Sequence, residues 1–172
     1  MDRLGGVASR RLVIVAVLAA MAGFLAGGRA PWSGRADAAA EAPTPATPAP
    51  QYLNNDPNST APYSDAVRVG SMLYLAGNLG IDKDGKLVPG GITPESEQAL
   101  QNLKATLERN GSSIDRVVSC LVLLADIRDR EPFNEVYQKY WTPGRFPARS
   151  AFGTSGLVGG ARVEISCTAV VR

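Results

Sequence analysis

The sequence predicts an α+β sandwich in which two amphipathic helices cover one face of a mixed sheet. Three observations carry that expectation. Leu100, Leu103 and Leu107, and later Phe133, Val136, Tyr137 and Tyr140, recur at helical spacing. The run VVSCLVLLA from Val117 to Ala125 is almost continuously apolar and too short for a helix of its own, as a central buried strand is. The last segment alternates strictly, with Val163, Ile165, Cys167, Ala169 and Val171 on one face and Arg162, Glu164, Ser166 and Thr168 on the other.

In chain order, Val67-Arg68-Val69 and Met72-Leu73-Tyr74-Leu75 flank Gly70-Ser71, a two-residue connection beginning with Gly that predicts a type II′ hairpin. Asp82-Lys83-Asp84-Gly85 reads as a turn. Thr93 as N-cap and Pro94 at the first helical position start the first helix, and Asn110-Gly111 stops it. The buried strand follows, then the second helix, where Pro132 is tolerable only in the first turn. The order ββ-α-β-α-β-β leaves one sheet face without helices. That face carries small polar groups and some apolar ones drawn from Leu121 and Leu123, so it is expected to be buried against another subunit.

The chain has 172 residues, 45% hydrophobic and 20% charged, which is ordinary globular usage and room for one domain plus an appendage. The appendage is at the front. Arg3, Arg10 and Arg11 precede an uncharged run of 17 residues, LVIVAVLAAMAGFLAGG, shorter than the roughly 20 apolar residues that a spanning helix prefers. Residues 1–30 therefore read as an export signal, with cleavage favoured over an uncleaved membrane anchor, and imply a periplasmic or secreted protein, or alternatively one anchored to the membrane at its N-terminus. Ser9-Arg10-Arg11-Leu12-Val13-Ile14 is similar to a twin-arginine signal and equally compatible with a Sec signal. Residues 31–50 read as a linker, since positions 36–50 hold seven Ala and four Pro and cannot build a core. The folded domain is 51–172.

No histidine is present, which excludes a Ser-His-Asp triad, a Cys-His dyad, His-ligated haem and nearly every usual zinc site; two cysteines exclude a four-cysteine metal site. No metal is expected. Residues 1–50 hold five Arg against three acidic groups, which leaves thirteen basic and thirteen acidic groups in 51–172. A balanced domain lacks the field that nucleic-acid binding requires. Export would expose Cys120 and Cys167 to an oxidising compartment, yet both lie in apolar strand-like runs, and two free buried thiols are expected rather than a disulfide.

The candidate polar groups are Tyr63 in APYS, Asn78 after Ala76-Gly77, Asn134, Arg149 in FPARS, and Glu164. Taken singly each has a structural explanation: Arg149 as a solvated or ion-paired group at a strand start, Glu164 as an exposed carboxylate balanced by Arg162, Tyr63 as a cap on the core, Asn134 as a helix-to-loop donor.

Five blocks change that balance. APYSDAVRVGSMLYLAGNLGID, ALQNLKATLERNGSSIDRVVSCLVLLADI, FNEVYQKYW, FPARSAF and ARVEISCTAVVR, in that order and spacing, closely resemble the RidA/YjgF reactive-intermediate deaminase family from about residue 51 to the C-terminus. The resemblance implies a chorismate-mutase-like α+β fold and a homotrimer with an inner barrel of sheets and clefts between subunits. In the positions that match, it implies that Arg149 holds a substrate carboxylate and Glu164 serves the hydrolytic water, with Tyr63 and the backbone at Gly77 lining the cleft and Asn134 structural. A guanidinium grips a carboxylate by two parallel hydrogen bonds, and an imine carbon needs only a placed water and proton transfers, so no cofactor is implied. The expected reaction is hydrolytic deamination of short 2-imino acids, 2-iminobutanoate and 2-iminopropanoate, to 2-oxo acids and ammonia. The alternative is a non-catalytic trimer that binds small carboxylates or protects other proteins. Ala76 stands where many members place Ser, Asn78 where they place Gln, and Ala151 where they often place Ser, Thr or Cys; Leu157-Val158-Gly159-Gly160 lacks the usual Leu-Pro.

Overall fold

The computed structural model describes residues 48–171. The export signal and all but the last three residues of the linker lie outside the described residues. Among those described, no helix is long and apolar enough to cross a membrane.

The strands are β1 (Gln51–Leu53), β2 (Ala66–Val69), β3 (Met72–Leu75), β4 (Asn78–Leu79), β5 (Val117–Leu124), β6 (Ala148–Gly153) and β7 (Val163–Val170), with helices α1 (Ile92–Arg109) and α2 (Arg130–Tyr137). The sheet runs β1-β2-β3-β7-β5-β6, with β4 also on β7; β5 and β6 are parallel and the other pairs antiparallel. The mixed sheet with two helices is the expected architecture. Sequence periodicity missed β1 and β4, which at three and two residues are too short to show any.

The hairpin closes where expected, with Val69 opposite Met72 and Gly70 in the left-handed region at φ 59°. The start of α1 differs from expectation. Gly91 occupies the N-cap with no side-chain cap, and Thr93 and Pro94 sit inside the first turn, where a missing N–H costs nothing because those donors lack intrahelical partners. The other end stops as expected. Gly111, at φ 77°, donates to the Glu108 carbonyl and Ser112 to that of Leu107, the paired bonds of a Schellman motif.

Leu100, Leu103 and Leu107 of α1 and Phe133 and Val136 of α2 pack onto Leu73, Val122, Leu124, Val163, Ile165 and Ala169, all fully buried. The alternation of β7 is obeyed residue by residue, the apolar set buried and the polar set half-buried on the far side. That far face is bare in the single chain, with Tyr74, Leu121 and Phe152 exposed.

One expectation is overturned. Cys120 and Cys167 form a disulfide. They are directly opposed in the antiparallel β5–β7 ladder, Cα atoms 4.1 Å apart, with both side chains on the helix-covered face. Their pairing depends on the register between strands 47 residues apart, which neither apolar run discloses. Cross-linking over that separation is expected to stabilise the fold by about 2–4 kcal/mol. Urea unfolding with and without reductant measures it; an unmoved midpoint would mean that packing alone holds β5 to β7.

Candidate functional site

Arg149 lies on β6 in register with Cys120 and so projects to the helix-covered side, past the edge of the core. There its guanidinium carbon sits 4.4 Å from the centroid of the Tyr137 ring and 5.7 Å from that of Phe133. Its Nη2 donates to Asn134 Oδ1 at 2.8 Å. The aromatic stripe of α2 is thus core on one side and a platform for Arg149 on the other. Burial pushes the Tyr137 phenol up to about 12, against a smaller downward pull from Arg149, so the ring stays neutral and offers a π face to the cation. Among the described residues no carboxylate pairs with Arg149. A hollow of about 390 Å³ opens beside it, lined by Asn134, Tyr137, Gln138, Phe146, Pro147 and Arg149.

Glu164 lies on β7, opposite Leu123 of β5 and Leu79 of β4, and points to the bare face. Arg162, its partner in the purely structural alternative, is engaged elsewhere: that guanidinium holds the Asp129 carboxylate through three contacts of 2.7–3.0 Å. Glu164 has no side-chain partner among the described residues. Its carboxylate lies against Gly77, where a Cβ would fall 1.8 Å from Oε1. Gly77 sits in a break between β3 and β4. Between Tyr74, which faces Thr168, and Asn78, which faces Ile165, three residues oppose two, so Leu75-Ala76-Gly77 forms a bulge. The bulge turns the backbone at Gly77 toward a second hollow, of about 470 Å³, whose lining includes Tyr63, Ala76, Gly77 and Asn78. Asn78 does not face outward as a free ligand group; its amide donates to the Ala76 carbonyl at 2.9 Å and braces the bulge.

The four predicted site residues therefore fall into two groups. Gly77 and Glu164 meet at the β4 end of the sheet, Tyr63 shares with Gly77 the hollow toward α1 that Glu164 does not line, and Arg149 stands apart with Asn134. Arg149 and Glu164 are on opposite faces. They lie on the two strands flanking β5, at the levels of Cys120 and Leu123, which places their backbones about 10 Å apart across the sheet and about 10 Å along it. No small ligand touches both within one chain. Asn134 reads from sequence as structural and Tyr137 as part of the core stripe of α2; Tyr137 and Arg149 are twelve residues apart on different elements, and their pairing follows only from the contact between β6 and α2.

A sequence profile of the family described as Endoribonuclease L-PSP matches residues 53–171. The chain belongs to that family. Among its L-PSP relatives, the 2-iminobutanoate/2-iminopropanoate deaminase of Mus musculus is 44% identical over 115 residues, covering 66% of this chain and 84% of the relative. The protein of the same name from Homo sapiens is 41% identical over 115 residues, 66% and 83% of the two chains. Among solved structures, RidA from the Antarctic bacterium Psychrobacter sp. is 33% identical with a TM-score of 0.65, covering 70% of this chain and 99% of that one. This chain shares the fold of that solved RidA structure, as the five blocks imply.

Gly77→Ala is expected to cost about 1–3 kcal/mol through the clash with Glu164. Combining it with Glu164→Ala should remove most of that penalty, a non-additivity measured by a double-mutant cycle in denaturant. Additive costs would show that the carboxylate does not rest on Gly77.

Proposed function

We propose that this protein hydrolyses short 2-imino acids to 2-oxo acids and ammonia at a site shared between two copies of the chain. The observation that carries the reading is Arg149: a half-buried guanidinium, fixed by Asn134 and Tyr137 and facing an open hollow, with no carboxylate neighbour among the described residues to neutralise it. A ligand carboxylate completes it through two charge-assisted hydrogen bonds. Glu164 supplies the second function. As water adds to the imine carbon, the carboxylate takes one of its protons and passes it to nitrogen, giving the carbinolamine; it then relays the hydroxyl proton to the amine, so that the C–N bond breaks and ammonia leaves as the carbonyl forms. Since one chain holds these groups on opposite faces, Arg149 of one copy meets Glu164, Tyr63 and Gly77 of the next. A closed homotrimer joined through the bare face, over Tyr74, Leu121 and Phe152, provides that arrangement. The names of the curated relatives support the reaction.

The endoribonuclease description of the family finds no support in this chain's charge. Thirteen basic and thirteen acidic groups in 51–172 give no basic stripe to follow a phosphate backbone. A non-catalytic carboxylate-binding trimer would use the same Arg149 and leave Glu164 idle. The exported location proposed from the leader gains a second support in the disulfide, which persists in oxidising compartments. Mass measurement of the protein in fractionated cells checks it, a mature form lacking the leader being expected outside the cytosol.

The reaction is tested by making 2-iminopropanoate with an amino-acid oxidase and trapping it with semicarbazide. The protein should divert imine to 2-oxo acid. Arg149→Ala should lower kcat/KM by about 10²-fold or more, and Glu164→Gln should lower kcat by about 10²–10⁴-fold. Refolding the two inactive variants together should restore roughly a quarter of the activity, the share of interfaces that random assortment in a closed ring leaves intact. Ketoacid binding without any acceleration would establish the binding reading instead.

A further inference from the structure

The chain entering β7 has a problem that β4 does not solve. β4 ends at Leu79, opposite Glu164, and from Gly80 the backbone leaves the sheet, the Gly80 carbonyl accepting from Val88. The backbone donors just before Glu164 would then be buried without a strand to receive them. Glu95 takes the place of the missing strand. Its carboxylate, in the first turn of α1 and on a residue only 3% exposed, accepts at Oε1 from the N–H of Arg162 at 2.6 Å and of Val163 at 3.2 Å. Gly80 makes room for it: a Cβ there would fall 2.4 Å from Glu95 Cγ.

Arg162 is gripped on three sides. Glu95 holds its N–H, Ala125 donates to its carbonyl at 2.9 Å, and Asp129 holds its guanidinium. Two residues later comes Glu164, paired on both sides and resting on Gly77. Nothing in this cluster touches the Arg149 hollow, whose lining comes from α2, β6 and the segments beside them.

We infer that Glu95 is a positioning residue for Glu164, setting where the water-activating carboxylate stands by fixing the two backbone amides that lead into it. The inference rests on the deaminase reading. Glu95 acts on the chemical step and not on carboxylate binding, which belongs to Arg149. Its loss therefore separates kcat from KM. In the purified full assembly, Glu95→Ala should lower kcat by about 10- to 100-fold, the cost of a displacement of about 1 Å, while KM for the imino acid stays within about twofold. Glu95→Gln keeps an oxygen acceptor at the same reach and should stay within about threefold of wild type. Where Glu95→Ala fails to fold, Glu95→Asp, one methylene shorter, carries the same test.

A second readout needs no turnover. With side-chain carboxyl ¹³C labelling of glutamate, the resonance absent from Glu164→Gln identifies Glu164; it should shift in Glu95→Ala and hold still in Glu95→Gln. A Glu95→Ala protein that melts earlier yet keeps wild-type kcat and an unmoved Glu164 resonance would make Glu95 a purely structural clamp and overturn the inference. If wild type itself hydrolyses no imine, the deaminase reading falls, while the resonance still decides whether Glu95 places Glu164.

Discussion

The antiparallel register of β5 against β7 is the constraint on which the rest depends. Val122 opposite Ile165 and Cys120 opposite Cys167 commit the apolar set of β7 to the helices. Side chains alternate with a period of two, so Glu164, Ser166 and Thr168 are driven to the bare face. β6 runs parallel to β5 with Arg149 level with Cys120, which sends Arg149 to the helix side. A slip of one residue would invert both placements and expose the core. The separation of Arg149 from Glu164 is therefore a property of the sheet, beyond the reach of any rotamer change. Chemistry that needs both groups has to be assembled from two copies, and the uncovered face with its exposed Tyr74, Leu121 and Phe152 is the surface left for that assembly.

The same register explains why the Glu164 end of the sheet is built from exceptions to strand regularity. β7 is eight residues long, and no single partner accompanies its β3 side for the whole length. β3 covers its C-terminal part, a bulge at Leu75-Ala76-Gly77 shifts the count by one, and β4 covers two residues more. Each interruption falls beside Glu164. The bulge brings a residue without a side chain under the carboxylate, and the departure at Gly80 admits Glu95. Bulges and breaks of this kind re-aim side chains at the cost of ladder hydrogen bonds, and Asn78 and Asn102 repay that cost by donating to the Ala76, Leu79 and Ile81 carbonyls at 2.9 Å.

How much of this was legible in the sequence follows from what periodicity encodes. The stripes of α1 and α2 and the alternation of β7 report which side of each element is buried, and the structure agrees with them; the continuous apolar run of β5 reports no side, and its Val118 and Leu121 stand exposed in the single chain. Relations between elements leave no such trace. The disulfide, the Arg162–Asp129 pair and the stacking of Arg149 on Tyr137 all depend on which element lies beside which, and the pairing of Glu164 with Arg162 that closeness in sequence offers as an alternative is not formed. Thr93 and Pro94 are good helix-start residues, but Gly91, at φ 88°, breaks the chain two residues earlier and moves them into the first turn. Arg149 and Glu164 were singled out by family resemblance, since spacing alone gave either of them an ordinary structural explanation.

A comparison of Arg149 with Arg162 shows why Arg149 stands out. Arg162 is structural, with a bidentate carboxylate on its guanidinium and its backbone amide and carbonyl both satisfied. An arginine placed for stability is treated in this way, because a desolvated charge without a counter-ion is costly. Arg149 is braced as firmly but left electrically open: an amide oxygen and the face of a neutral phenol orient it without neutralising it. Neither brace competes with an incoming anion as a carboxylate would. The fold accepts the cost of an unpaired guanidinium at one arginine and avoids it at the other. That difference is what a site for a small carboxylate requires, and simple surface exposure does not account for it, since the side chain is held on a platform instead of being released to solvent.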